Sequence, residues 1–125
     1  MSFLVVDDSA TMRRIIINSL QRIGFSDFVE ASDGVDALEK FDTAVDLVIT
    51  DWSMPNMSGL ELTRALRTYE PRKVPILMVT TRSTRQDILD AVAAGVNNYI
   101  VKPFTPQVLK EKIDLLLPAT AAHSP

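Results

Sequence analysis

The sequence predicts an α/β fold in which five buried strands alternate with five helices around a parallel sheet. The first observation is a set of short apolar runs, which are typical of strands buried on both faces. The second is that segments with the apolar spacing of helices separate these runs. Right-handed crossovers then place helices on both faces of the sheet. A chain of 125 residues is long enough for one such domain.

The predicted strands are runs of apolar and β-branched residues, and the later ones end at a polar residue. The third run ends at Asp51, the fourth at Thr80 and the fifth at Lys102. A turn rich in prolines, over residues 71–75, precedes the fourth strand. The five runs cover residues 3–7, 28–31, 47–51, 76–80 and 99–102.

Capping residues mark the predicted helices. A side-chain oxygen at the N-cap accepts a hydrogen bond from a free backbone N–H group, and glycine ends a helix in a left-handed conformation. Ser58 and Glu61 have the spacing of a capping box, and Thr105 precedes a proline at the first helical position. The predicted caps are Ser9, Ser32 or Asp33, Ser58, Thr84 and Thr105, and the predicted ends are Gly24, Gly95 and Pro118. The apolar side chains expected to face the core are Met12, Ile15, Ile16, Leu20, Ile23, Val35, Leu38, Phe41, Val108, Leu109, Ile113 and Leu116.

Composition argues against several classes of function. A net charge of −3 is unlike that of a general nucleic-acid binder. The absence of cysteine excludes disulfides and thiolate metal sites, and it agrees with a cytoplasmic location. No apolar stretch reaches the roughly 20 residues of a membrane span, and the first strand starts too early for a signal peptide. We expect one domain over residues 1–117 and a disordered tail over residues 118–125.

Polar side chains gather at one edge of the predicted sheet. Asp7 and Asp8 follow the first strand and Asp51 ends the third, while Thr80 and Lys102 end the fourth and fifth. Because the carboxyl ends of parallel strands meet at one edge, these side chains are expected to lie together. A single acid there would be interpreted as a turn former or helix cap. Crowded carboxylates repel one another, so three of them favour a site for a hard cation such as Mg²⁺.

The acids also suggest phosphoryl chemistry. Asp8 and Asp51 are the expected direct ligands of Mg²⁺, and the backbone carbonyl of Ser53 is a candidate third ligand. Asp7 would act through a bound water. Asp51 is the candidate nucleophile, because a carboxylate can form an aspartyl phosphate when a metal offsets the charge repulsion.

Lys102 and Thr80 complete the candidate site. Lys102 would hold one phosphoryl oxygen as a point charge, and Thr80 would donate a hydrogen bond to another. Each residue alone has a simpler interpretation, as a solvated lysine at a strand end and as a β-branched strand residue. Their common place at the sheet edge beside Asp51 favours the phosphoryl interpretation.

The Asp-Asp, Asp, Thr and Lys-Pro residues occur in an order that is specific to one family. Along nearly its whole length the chain resembles the receiver domains of bacterial two-component response regulators. Trp52, Met57 and the stretch 11–15 indicate the single-domain members of the chemotaxis branch. The resemblance implies a doubly wound, flavodoxin-like fold with strand order 2-1-3-4-5. The matching segments are 3–9, 11–15, 33–38, 51–52, 54–57, 77–80 and 101–105.

The resemblance also implies a role for each site residue. A charged group on Asp51 would draw Thr80 toward it, and the vacated space would admit Tyr99, which changes the surface between the fourth and fifth helices. Without the resemblance, Tyr99 would be interpreted as a half-buried residue with its hydroxyl in water. The implied roles are phosphoacceptor for Asp51, magnesium-binding acids for Asp7 and Asp8, switch pair for Thr80 and Tyr99, and phosphate-binding lysine for Lys102, whose bond to Pro103 would be cis.

Three positions beside the site depart from the chemotaxis branch. Ser53 occupies a position where asparagine is common in that branch. Thr81 occupies a position where alanine or glycine is common, and Arg82 one where glutamate is common. In the family, the positions of Ser53 and Arg82 flank the route of the attacking water and tune dephosphorylation. We expect Thr81 to narrow access, and Arg82 to contact the phosphoryl group or a nearby acid. The alternative is neutral drift on an exposed loop.

The resemblance implies a phosphoacceptor signalling protein that catalyses only its own phosphotransfer and autodephosphorylation. The expected partners are a histidine kinase of the chemotaxis type, the flagellar motor switch protein and a phosphatase, and the protein is expected to act as a monomer. The single histidine, His123, lies in the predicted tail, so the donor histidine is expected on another protein. With no output domain in the sequence, the output is expected to be contact between proteins.

Several alternatives share parts of this pattern. A phosphate sink, which drains phosphoryl groups from the kinase without contacting the motor, fits the same residues, as does a receiver that acts as a constitutive interaction module. A phosphatase of the haloacid dehalogenase kind would need a second acid two residues after the nucleophile, where Ser53 stands. A flavodoxin-like cofactor carrier would need a phosphate-binding loop where Asp7 and Asp8 repel phosphate.

Overall fold

The computed structural model describes residues 1–117 as a chain of alternating strands and helices. The strands are β1 (Ser2–Val6), β2 (Asp27–Ala31), β3 (Val45–Thr50), β4 (Ile76–Thr80) and β5 (Asn98–Val101). The helices are α1 (Ala10–Ile23), α2 (Gly34–Lys40), α3 (Gly59–Tyr69), α4 (Arg85–Ala94) and α5 (Pro106–Leu116). The predicted tail, with Pro118 and His123, lies outside the described residues.

The five strands form one parallel sheet in the order β2-β1-β3-β4-β5. This confirms the predicted fold class and the strand order that the family resemblance implies. The order reverses between β1 and β3, which is where ligands bind in open α/β sheets. The described part of the chain contains no helix that is both long and apolar enough to cross a membrane.

The sheet has a hydrophobic core on each face, because successive side chains of a strand point to opposite sides. On one face Phe3 and Val5 pack with side chains of α1 and α5, such as Leu20 and Leu109. On the other face the alternate residues of β1 pack with α2, α3 and α4. The residues of this second core include Leu4, Val6, Ala37, Leu62, Leu66 and Ala91. Burial on both faces explains why the strands are continuous apolar runs.

The predicted caps are confirmed, and the predicted element bounds differ by one to a few residues from the observed ones. The side chains of the five N-caps accept hydrogen bonds from backbone N–H groups of their helices, and Asp33 rather than Ser32 caps α2. Ser58 and Glu61 form the full capping box. Gly24 and Gly95 end α1 and α4 with φ values of 117° and 113°.

Three side chains expected in the core face solvent instead. Ile15 is 45% exposed, Val35 is 41% exposed and Val108 is 36% exposed. Each has a buried neighbour within two positions, such as Ile16 beside Ile15. Adjacent residues of a helix point in directions about 100° apart, so only one of a neighbouring pair can point at the sheet.

The start of α2 is fastened to the loop that follows β3. The Asp33 carboxylate accepts hydrogen bonds from the Asp36 backbone N–H at 2.8 Å and from the Asn56 amide at 2.7 Å. The Gly34 N–H donates to the Met57 carbonyl at 3.1 Å. The bonds from Asp36 and then Asn56 stabilise the charged form of Asp33, so its pKa lies below the ordinary 3.8.

Replacing Asp33 by Asn should remove part of the acid sensitivity of the fold. Because the pKa of Asp33 is lowered on folding, its charge stabilises the native state above the unfolded pKa, and that stabilisation disappears as pH falls. Denaturation measured from about pH 6 to pH 3 should show a variant that is less stable near pH 6 and approaches the wild type near pH 3. A constant stability difference across this range would contradict the assignment.

Candidate functional site

The register of the sheet places the acids that follow β1 and β3 side by side. Val6 pairs with Thr50, and the Asp51 N–H donates to the Val6 carbonyl at 3.0 Å. Asp7 follows Val6 directly, so the backbone of Asp51 begins beside that of Asp7. One carboxylate oxygen from each of Asp7, Asp8 and Asp51 lies within 4.8 Å of the other two. The structure therefore brings together the three acids that the sequence predicts.

The register also brings the end of β5 to the same edge. Thr80 pairs with Val101, and the Lys102 N–H donates to the Thr80 carbonyl at 2.8 Å. The Lys102 ammonium group then reaches across to the acids, at 3.1 Å from Asp7 Oδ2 and 3.1 Å from Asp51 Oδ2. The Lys102–Pro103 peptide bond is cis, as the family resemblance implies.

Burial and charge perturb the groups at this edge. Asp7 is only 1% exposed, and burial raises its pKa despite the hydrogen bond from the Ser9 N–H and the contact with Lys102. Burial alone would lower the pKa of Lys102, but the charges of Asp51 and Asp7 outweigh it and raise the pKa. Lys102 is therefore held in its charged form between two carboxylates.

Asp51 lies near the surface with both carboxylate oxygens oriented. Its Oδ1 accepts a hydrogen bond from the Trp52 N–H at 2.6 Å, and its Oδ2 accepts the bond from Lys102. Each oxygen thus accepts one hydrogen bond, and because a carboxylate oxygen has two lone pairs, each can accept a further interaction. Asp51 is partly exposed, whereas Asp7 is buried. Of these two residues, Asp51 is the one that a reactant from solvent can reach.

The backbone behind Asp51 is held by the start of α3. The Gly59 N–H donates to the Trp52 carbonyl at 2.8 Å, and the Thr50 hydroxyl donates to the Asp51 carbonyl at 2.9 Å. A Cβ atom at Gly59 would lie 1.9 Å from the Asp51 carbonyl oxygen. Only glycine fits this close approach, so any side chain here would displace Asp51.

The three acids fit a hard divalent cation. Their donors are all oxygens, and carboxylates are the ligands that Mg²⁺ prefers in proteins. Three carboxylates against one ammonium group leave an excess of two negative charges at this edge. Asp8 is exposed, and Ser53 lies in the loop directly after Asp51, so both stand on the solvent side of the cluster.

Thr80 and Tyr99 meet at the backbone of Arg82. The Thr80 side chain is buried, and its hydroxyl oxygen accepts a hydrogen bond from the Arg82 N–H at 3.3 Å. The Tyr99 hydroxyl donates to the Arg82 carbonyl at 2.8 Å. Burial raises the pKa of Tyr99, and the negative charge of Asp87 adds to the effect. Both residues of the predicted switch pair thus contact the same residue of the loop after β4.

The side chains of the unusual positions form their own contacts. The Arg82 guanidinium lies 4.7 Å from the centroid of the Trp52 ring, 3.6 Å from the Asp87 carboxylate and 3.4 Å from the Ser53 hydroxyl. Thr81 is exposed beside them. Asp87 was not among the candidate site residues, and the structure shows that it is the acid that Arg82 contacts.

Comparison with known proteins identifies the family. The family model described as the response regulator receiver domain matches residues 3–114. Chemotaxis protein CheY1 of Helicobacter pylori is 53% identical over 120 residues, which cover 94% of this chain and 97% of that protein. Chemotaxis protein CheY of Pseudomonas aeruginosa is 52% identical over 116 residues, which cover 91% and 94% of the two chains. The solved structure of Vibrio cholerae chemotaxis protein CheY4 is similar with a TM-score of 0.85, at 35% identity over 93% of this chain and 98% of that one.

The chain belongs to the response regulator receiver domain family, whose members are signalling proteins that bind Mg²⁺ at an acidic pocket. Within this family it is a CheY-type receiver domain, similar over nearly its whole length to chemotaxis response regulators. The resemblance stated from the motifs is thereby confirmed. In this chain, Asp7, Asp8 and Asp51 form the acidic group that could hold a metal.

Replacing Lys102 by Met should strengthen the binding of Mg²⁺. The ammonium group occupies the position between Asp7 and Asp51, so its removal leaves the excess negative charge without a competing cation. We expect the affinity to rise about tenfold, as measured by calorimetry at neutral pH. Lys110→Met, which removes an exposed lysine paired with Asp114, is the control and should leave the affinity unchanged. Weaker binding in Lys102→Met would show that Lys102 organises the acids more than it competes with the metal.

Proposed function

We propose that the protein is a single-domain chemotaxis response regulator that accepts a phosphoryl group on Asp51 from a histidine kinase in a magnesium-dependent reaction. The observation that carries this proposal is the setting of Asp51. It is the more exposed member of a pair of carboxylates bridged by Lys102, and its oxygens are oriented by the Trp52 N–H and the Lys102 ammonium group. This arrangement suits a nucleophile that must approach an anionic donor.

The proposed transfer replaces a P–N bond by a P–O bond. A carboxylate oxygen of Asp51 attacks the phosphorus atom of a phosphohistidine on the kinase, and the imidazole leaves with the electrons of the P–N bond and takes a proton from solvent. Lys102 holds one phosphoryl oxygen and Thr80 donates a hydrogen bond to another. Mg²⁺, when bound, supplies positive charge that lowers the repulsion between the donor and the acids.

The residues around Asp51 have distinct proposed roles toward the metal. Asp8 and Asp51 bind it directly, together with the backbone carbonyl of Ser53, and Asp7 binds through water. Support comes from the all-oxygen cluster of the three acids and from the burial of Asp7, which keeps it behind the other two.

The proposed signal is a change of surface that couples Thr80 to Tyr99. Phosphorylation draws the Thr80 hydroxyl toward Asp51, which removes the acceptor of the Arg82 N–H. The vacated space then admits the Tyr99 ring, whose hydroxyl now donates to the Arg82 carbonyl. Both hydrogen bonds end on one loop, which supports a coupled change rather than two independent ones.

The wider setting is proposed from the family. The proposed receiver domain comprises residues 1–117. The chain spans nearly the full length of chemotaxis relatives, which supports a protein that acts through contact with the kinase, the flagellar motor switch protein and a phosphatase. We propose a monomer that works in the cytoplasm and catalyses only its own phosphotransfer and autodephosphorylation. Ser53, Thr81 and Arg82 lie where they would tune the lifetime of the phosphoryl group.

Replacing Asp51 by Asn should abolish phosphorylation. The amide is not a nucleophile toward phosphorus, so incubation with acetyl phosphate and Mg²⁺ should add one phosphoryl group to the wild type and none to the variant. Intact-mass analysis measures this directly, and fluorescence of Trp52 reports on the site. Asp114→Asn, which changes an exposed carboxylate of α5, is the control and should behave as the wild type. A wild type that stays unmodified, with Trp52 fluorescence insensitive to Mg²⁺ and acetyl phosphate, would favour the constitutive interaction module.

Binding to the flagellar motor switch protein should distinguish a motor regulator from a phosphate sink. We expect beryllofluoride with Mg²⁺, which mimics a phosphoryl group on a carboxylate, to tighten this binding at least about tenfold. Asp51→Asn should show no tightening. A protein that accepts phosphoryl groups from the kinase but never binds the motor switch protein would instead be a phosphate sink.

A further inference from the structure

Arg82 is the residue on which the contacts between the site and α4 converge. Its backbone N–H donates to Thr80 and its carbonyl accepts from Tyr99, at 3.3 Å and 2.8 Å. Its side chain leaves this loop in two directions, toward Trp52 beside the phosphoacceptor and toward Asp87 in the first turn of α4. No other residue of the described chain contacts both switch residues and the loop after β3 through hydrogen bonds or ring stacking.

The guanidinium group is held by three weak contacts rather than one strong contact. The ion pair with Asp87 is 3.6 Å long, beyond hydrogen-bond distance, and the bond to Ser53 is at the long end of the range at 3.4 Å. The stacking distance to the Trp52 ring is 4.7 Å, and the Arg82 side chain is 45% exposed. Exposed contacts of this kind contribute little each, so a better partner for the guanidinium can displace them.

A phosphoryl group on Asp51 would be such a partner. It carries a charge of about −1.5 to −2 and three acceptor oxygens, whereas the Asp87 carboxylate carries a single charge. A guanidinium group can bind phosphoryl oxygens in bidentate geometry, which an ion pair at 3.6 Å does not offer to Asp87. Trp52 is the chain neighbour of Asp51 and donates its N–H to that carboxylate, so the guanidinium already lies over the residue beside the acceptor.

We propose that Arg82 exchanges Asp87 for the phosphoryl group when Asp51 is phosphorylated, and that this exchange frees the first turn of α4. This inference rests on the proposed function. In the free protein, Arg82 ties α4 to the loop after β3 through Asp87. In the phosphorylated protein the same side chain binds the phosphoryl oxygens, and Asp87 loses its partner. Arg82 thereby senses the phosphoryl group directly and reports it to α4.

In this exchange Asp87 competes with the phosphoryl group for the Arg82 side chain. Asp87 holds Arg82 away from the phosphoryl position, so removing the Asp87 charge should favour the phosphorylated form. This gain requires Arg82, because removing the Asp87 charge acts by releasing the Arg82 side chain from Asp87. If removing the Asp87 charge acted only by reducing repulsion of the phosphoryl group, its effect on affinity would be the same with or without Arg82. The coupling between the two substitutions therefore separates exchange from simple charge repulsion.

A double-mutant cycle with beryllofluoride tests the exchange. Calorimetry measures the beryllofluoride affinity of the wild type, Asp87→Asn, Arg82→Gln and the double variant, all with saturating Mg²⁺. We expect Asp87→Asn to tighten binding about three- to tenfold in the wild-type background and by less than about twofold beside Arg82→Gln. Arg82→Lys, which keeps the charge, should retain part of the coupling. Asp90→Asn, which removes another charge from α4 where it pairs with Gln86, is the control and should change the affinity by less than about twofold.

Amide hydrogen exchange in α4 provides a second test. If the contact between Arg82 and Asp87 were only structural, adding beryllofluoride would not change the exchange rates in α4. Beryllofluoride should speed exchange of the Asp87 and Ile88 amides in the first turn of α4, which donate to the Thr84 hydroxyl and carbonyl, in the wild type. In Asp87→Asn these amides should exchange fast before beryllofluoride is added. The Mg²⁺ affinity measured without beryllofluoride should stay within about twofold of the wild type in every variant, because the side chains of Arg82, Asp87 and Asp90 form no ion pair or hydrogen bond with the three acids.

Two results would overturn the exchange. One is an equal effect of Asp87→Asn in both backgrounds, which would leave only charge repulsion. The other is protection of the Asp87 and Ile88 amides that beryllofluoride does not alter. A wild type that binds neither beryllofluoride nor a phosphoryl group would overturn the proposed function itself, and this inference with it. A wild type that binds beryllofluoride without coupling would overturn the inference alone.

Discussion

The contact of Lys102 with Asp7 and Asp51 is the interaction on which the carboxyl edge of the sheet depends. The pairing of β1 with β3 forces two carboxylates together, and Asp7 is almost wholly buried there. An isolated buried charge costs far more than a few kcal/mol of stability, unless a partner compensates it. Lys102 is that partner, and it reaches both acids from the end of β5, two strands away from β3. Lys102 therefore offsets part of the cost of burying Asp7 beside Asp51.

Local chemistry was enough to predict most of the fold. The strands are apolar runs because both faces of the sheet are covered, and the helices start at caps whose hydrogen bonds form within three residues. Such signals lie within one short window of sequence. The exposed Ile15 and Val35 were predicted wrongly because spacing gives a helical stripe but not its width.

The site was predictable as far as it depends on strand ends. The acids, Thr80 and Lys102 each end or follow a strand, so a parallel sheet alone brings them to one edge. The partners of Arg82 and the hydrogen bond from Asn56 to Asp33 were not predictable in this way. They join loops that are distant in sequence, and their geometry depends on how the helices pack. Arg82 contacts the acid Asp87, whereas its contact with a phosphoryl group and the effects of Ser53, Thr81 and Arg82 on the lifetime of that group stay predictions.

The close approach of Gly59 to the Asp51 carbonyl makes the structure around Asp51 stiffer on one side than on the other. On the side of α3, backbone touches backbone with no room for a single carbon atom, and a hydrogen bond from Gly59 fixes the contact. On the side of α4, the contacts are long and made by exposed side chains. Strain from a group attached to Asp51 would therefore relax toward α4, where the contacts yield more easily. A molecule built in this way has a preferred direction for its signal before any partner binds.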